Sequence, residues 1–218
     1  MHTAIFHLMV PQLLGCIREL YTDELAGVVA RLTSSSDMRV YSEVALRDRR
    51  GRPIQNGSLG LPMRLDLVAI SGGSSESPAV DPERLMRFEP VCFETDAGLG
   101  VVLHPFQWDS MTVSFQDPGG LDDWQPLVSW YGEWYRENED SEDGSGALLG
   151  VVHCLSDPEV TRGTVRFTVD LGSAPVEAFD ALLDVIAALG VKSVVVGNAP
   201  RGQVLAPAAA APSARLTR

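Results

Sequence analysis

His153 and Cys154 stand side by side in this 218-residue chain, and a thiol next to an imidazole is the raw material of a nucleophile and its base. The stretch around them reads as a strand, where neighbouring side chains point to opposite faces, so the two cannot form a hydrogen-bonded dyad. Cys154 is expected in the core and His153 partly exposed. A second group, His104, Trp108 and Asp109, could supply a His–carboxylate pair for proton transfer. Pro105 and Gln107 make that segment a tight turn, and packing is the simpler account of it. No HxxxH, HExxH or CxxC pattern announces a zinc site. The run from Glu137 to Asp143 offers alternating oxygens but lacks the twelve-residue order of an EF-hand. The segment from Gly197 to Gly202 lacks the Lys and Ser/Thr of a phosphate loop. The turn Asp170-Leu171-Gly172-Ser173 could present backbone N–H groups to an anion. No catalytic residue, cofactor or metal ligand is assigned on these grounds.

Charge is the stronger signal. Residues 88–200 hold nineteen Asp and Glu against four Lys and Arg, a net of −15, while residues 1–87 balance and the stretch after Pro200 is basic. All four tryptophans fall in that acidic half, just ahead of the acidic run. Trp supplies contact area at low entropic cost and carboxylates steer a basic partner, so Trp108, Asp109, Trp130, Trp134, Glu137, Glu139, Asp140, Glu142 and Asp143 are the expected partner-binding residues. The same charge argues against direct nucleic-acid or anionic-membrane binding, and no run reaches the ~18 apolar residues of a span. Leu13-Leu14-Gly15-Cys16 has the outline of a lipobox, but Pro11 and the lack of Lys or Arg before Arg18 favour an ordinary strand and turn. Three cysteines without a CxxC pair read as reduced core residues of a cytoplasmic protein.

The elements that must hold these residues follow from periodicity. Ala4 to Val10 reads as a buried strand stopped by Pro11, and Thr22 as the N-cap of a following helix. Strands are expected over residues 39–46 and 62–70. Three more, at 87–94, 100–103 and 109–115, have the spacing of an antiparallel meander. Residues 121–138 read as a helix, then 148–155 and 165–171 as strands. Ser173 is the expected N-cap of a helix whose stripe runs from Val176 to Leu189, with Gly190 at its end and a buried strand at 191–196 after it. The sum is one α+β domain over residues 1–198: a mainly antiparallel sheet with two to three helices packed on it and a C-terminal strand–helix–strand unit. A sub-boundary is expected near 72–78, and residues 199–218 read as a mobile Ala/Pro-rich tail.

Between His104 and Gly197 the chain resembles bacterial immunity proteins of polymorphic-toxin systems. The resemblance rests on His104-Pro105-Phe106-Gln107-Trp108-Asp109, on Trp130-Tyr131 and Trp134-Tyr135, on Val151-Val152-His153, and on the stretch from Val169 to Pro175. It implies a small cytoplasmic protein that covers the active site of a cognate toxin without chemistry of its own. The acidity suits a basic toxin such as a nuclease. Two alternatives stand beside it: a hydrolase using His104 and Asp109, or His153, and a structural component of a phage or secretion apparatus.

Overall fold

In the computed structural model, which describes residues 2–34, 38–72, 74–78, 80, 85–137 and 146–198, the chain opens with a long helix, α1 (His2–Thr33). Its cause is an apolar stripe at three- and four-residue spacing, Val10, Leu14, Ile17, Tyr21, Leu25 and Val28, all buried. Pro11 sits inside this helix and removes one backbone donor, a loss offset by the buried stripe on either side. The expected strand at 4–10 and the separate helix from Thr22 are therefore one element. Thr22 is no cap: its hydroxyl donates to the Arg18 carbonyl at 3.2 Å, the back-bond that lets a Thr sit mid-helix.

Two main sheets and a separate two-stranded ladder lie beyond it. In the smaller, β1 (Arg39–Ala45) pairs antiparallel with β4 (Arg64–Ser71), and β4 with β5 (Ser74–Glu76); between β1 and β4 a two-residue ladder joins β2 (Gln55–Asn56) to β3 (Leu61–Pro62). The expected sub-boundary thus holds a hairpin strand. The larger sheet contains β6 (Val91–Glu94), β7 (Gly100–Leu103), β8 (Met111–Gln116), β9 (Cys154–Leu155), β10 (Glu159–Thr161), β11 (Thr164–Asp170) and β12 (Ser193–Gly197). Its order is β10-β11-β8-β12-β7-β6, with β9 also on β11.

The expected meander is broken. β12 inserts between β7 and β8, parallel to the first and antiparallel to the second. The C-terminal unit explains why: β11 and β12 flank β8 and are joined by α3 (Val176–Ala188), a split β-α-β arrangement. Phe179, Leu182, Leu183 and Ile186 of α3 are buried in the common core, and each such side chain contributes about 1.5–3 kcal/mol. Gly190 ends the helix region at φ 84, as its type suggests. The remaining helix, α2 (Gln125–Tyr135), is shorter at both ends than its apolar pattern and touches α3 through the Trp130 indole N–H, which donates to the Ala178 carbonyl at 3.0 Å. The architecture is α+β and mostly antiparallel. One apolar cluster takes side chains from α1, β1 and β4 as well as from the large sheet, so residues on both sides of 72–78 share a core.

Candidate functional site: a buried histidine held by carboxylates

His153 lies just before β9 in a segment clamped between the two sheets. Its N–H donates to the Asp170 carbonyl of β11 at 3.0 Å, and its own carbonyl accepts from the Arg64 N–H of β4 and from the Tyr131 hydroxyl, each at 3.0 Å. The ring is therefore placed from three sides, and it is fully buried, where partial exposure was expected. Gly172 presses on the imidazole. A Cβ there would lie 2.5 Å from Nε2, and its φ of 52 disfavours any other residue.

Carboxylates occupy both ring nitrogens. Nε2 lies 2.9 Å from Glu43 Oε1 and Nδ1 lies 3.0 Å from Asp66 Oδ1, with Asp170 Oδ2 3.7 Å from Nδ1. The β1–β4 ladder supplies the first two acids. It pairs Ser42 with Leu67 and Val44 with Leu65, so Glu43 and Asp66 face each other between these pairs. Glu43 itself has φ 52, a left-handed conformation that costs a non-glycine residue about 1–3 kcal/mol and persists where its surroundings over-determine it. Those surroundings are visible. Glu43 Oε1 also accepts from the Ser173 N–H at 3.0 Å, Oε2 accepts from the Leu149 N–H, and its carbonyl accepts from the Arg64 guanidinium at 2.6 Å. The anion at the Asp170–Ser173 turn is thus the protein's own Glu43. Ser173 is correspondingly not a helix cap: its hydroxyl accepts from the Gly150 N–H at 2.8 Å, and Pro175 occupies the N-cap. Asp66 accepts from the Tyr21 hydroxyl of α1 at 2.8 Å, and Asp170 Oδ1 from the Gly172 N–H at 2.9 Å.

The electrostatics follow from this geometry. Burial alone would drive the imidazole toward neutrality, but the Asp170 charge and the hydrogen bonds to Asp66 and Glu43 outweigh it and push His153 up to about 10. Burial works against ionised Glu43 and Asp66 as well. Hydrogen bonds and charge from His153 reverse it and hold both below the usual carboxylate range. Asp170 is pushed up to about 7 because burial and the nearby Asp66 charge exceed the pull of the imidazolium. The Cys154 thiol rises to about 11 through burial and the Asp170 charge, so it is no thiolate at neutral pH. One Nδ1 and one oxygen from each of Asp66 and Asp170 lie within 4.8 Å of one another, a donor set that could hold a metal ion.

Of the nine residues expected to meet a partner, five lie among the described residues. Trp108 and Trp130 are core side chains, 1% and 3% exposed, and neither offers area to a partner. Trp108 stacks near Phe106, which in turn stacks near Phe179, at centroid distances of 6.3 Å. Trp134 is partly buried with its indole nitrogen enclosed. Their apolar area is larger than their polar handle, so the core wins them. Asp109 is partly buried and feels the Asp66 and His153 charges, with burial raising it. Glu137 is exposed and its carbonyl accepts from Arg47 at 3.1 Å. Glu139, Asp140, Glu142 and Asp143 lie outside the described residues, as does 199–218. Cys16 and Cys92, expected in the core, are exposed, and the three cysteines are free. His104 and Asp109 are not joined by a hydrogen bond among the described residues.

A second acidic feature went unseen in the sequence. Glu94 and Asp96 at the β6–β7 turn, with Asp180 and Asp184 of α3, line a groove of about 280 Å³ floored by Val10 and Leu183. Burial raises Asp180, and the neighbouring Glu177 and Asp184 charges raise it further. No Lys or Arg among the described residues pairs with any of the four. No described helix is long and apolar enough to cross a membrane.

No protein-family model, no curated protein sequence and no solved structure matches the chain.

Proposed function

We propose that the protein is a cytoplasmic inhibitor of the immunity type, which binds and neutralises a cognate basic bacterial toxin, such as a nuclease. The observation that carries this reading is the groove between the start of α1, the β6–β7 turn and α3, where four carboxylates stand over an apolar floor with no basic partner among the described residues. Like charges crowded on α3 lower the stability of the free protein, and a cationic segment of a partner relieves them. The contact surface moves accordingly, from the tryptophans to these acids.

The enzyme alternative loses support for a physical reason. A general base must offer a free ring nitrogen to substrate, and both nitrogens of His153 are engaged by carboxylates in a fully buried ring. The test is capture of the full-length protein with its bound partner at low and high salt, followed by reconstitution of the purified pair. The expected result is a one-to-one complex that silences the partner's toxicity and is weakened by high salt and by Asp180→Lys with Asp184→Lys. A complex indifferent to both would move the contact away from this groove, and the absence of any stoichiometric partner would overturn the inhibitor reading.

A further inference from the structure

The geometry points to a binding site for one divalent first-row transition ion of the Zn²⁺ or Mn²⁺ kind, between His153 Nδ1 and the carboxylates of Asp66 and Asp170. The inference is independent of the partner reading. The three donor atoms lie within 4.8 Å of one another, with Nδ1 3.0 Å from Asp66 Oδ1 and 3.7 Å from Asp170 Oδ2. Metal–ligand bonds of about 2.0–2.2 Å require donors roughly 3–3.5 Å apart, so small side-chain adjustments close the set around an ion. One imidazole with two carboxylates is a borderline donor set, suited to zinc or manganese and short of the oxygen count that calcium needs.

The surroundings are those of a prepared ligand set. In metal sites the second ring nitrogen of a ligating histidine donates to a carboxylate, which fixes the tautomer and orients the ring. Glu43 holds that position: it is fully buried, accepts from His153 Nε2 at 2.9 Å, and is itself held by the Ser173 and Leu149 N–H groups. Tyr21 orients Asp66 and the Gly172 N–H orients Asp170. Exposure is divided in the way a site needs. The imidazole is fully enclosed while the Asp66 and Asp170 side chains keep 28% and 26% of their surface in solvent, so an ion enters past the carboxylates and retains water on its open side. Binding exchanges one proton for a divalent ion, a net gain of one positive charge at a site lined by carboxylates: the ion takes the Nδ1 lone pair, and the proton on Nδ1 leaves to solvent.

Zn²⁺ titrated into chelator-treated full-length protein by calorimetry, with Co²⁺ absorption as the ligand-type probe, tests this. One equivalent bound at micromolar affinity or tighter is expected, with cobalt spectra of nitrogen and oxygen ligation and no thiolate charge-transfer band. Asp170→Asn retains the oxygen that accepts from Gly172 and is expected to weaken binding at least tenfold; Asp66→Asn serves as the second variant if the first does not fold. Cys16→Ser with Cys92→Ser is expected to leave binding unchanged. Absence of binding, unchanged affinity in the folded aspartate variants, or a thiolate band that disappears with the cysteines would overturn the assignment.

Discussion

The chain uses carboxylates in two opposite ways. Around His153, Glu43 is enclosed and Asp66 and Asp170 are half-buried, and each is held by a named donor, so the charges contribute to the way α1, the small sheet and β11 meet. In the groove beside α3, Glu94, Asp96, Asp180 and Asp184 have no Lys or Arg partner among the described residues. A compensated cluster is architecture; an uncompensated one is a candidate contact. Net charge alone does not distinguish the two, because both regions add to the same acidic total.

Four measurements break or sharpen this contrast. Glu43→Ala should have the largest effect, leaving the imidazolium Nε2 and the Ser173 and Leu149 N–H groups without their acceptor; a loss of about 3–5 kcal/mol in urea unfolding is expected. A loss under 1 kcal/mol would show that the cluster is not a structural keystone. Gly172→Ala should cost about 2–3 kcal/mol by the same assay, because the added methyl meets the His153 ring at a left-handed backbone position. Trp130→Phe should cost about 1–2 kcal/mol, since it deletes the bond to the Ala178 carbonyl and buried ring area. Were Trp130 a partner anchor instead, stability would hold and only association would suffer.

The smallest effect is opposite in sign. Asp180→Asn should stabilise the free protein by about 0.2–0.5 kcal/mol at neutral pH and low salt, because it removes a partly desolvated charge and the repulsion it meets from Glu177 and Asp184. Asp180 is raised above its ordinary value in the fold, so the native state binds its proton more readily than the unfolded chain does. Its contribution is unfavourable at neutral pH, and that penalty fades as pH falls through the raised value. Thermal melts of wild type and variant between pH 7 and pH 4 should therefore converge, and a gap that widened toward low pH would assign the shift elsewhere.

Local periodicity carried much of the fold. The stripe from Val176 to Leu189, the alternating strands at 39–46 and 109–115, and Gly190 as a terminator were legible because each depends on neighbours within a few residues. α1 departs from the expected strand because its buried stripe outweighs Pro11: Val10, Leu14, Ile17, Tyr21, Leu25 and Val28 keep helical spacing straight past it. The meander failed for a different reason: spacing constrains how consecutive strands connect, and β12 enters between β7 and β8 from far along the chain. The histidine cluster left no local mark. Glu43 sits 110 residues from His153 and Asp66 sits 87, and in sequence both occupy ordinary polar positions of alternating strands.

Composition and order of residues by themselves determined the acidic C-terminal half, the secondary elements with clean periods, and the α+β class. Charge is additive along a chain, and helix and strand periods are short-range. Which acids are paired, which tryptophans are buried, and which donors converge on His153 were decided only when α1 and the two sheets packed. Burial and ion pairing depend on what lies across the core, and for a side chain on β1 the residues across the core belong to α1, β4, the 151–153 segment and the turn before α3.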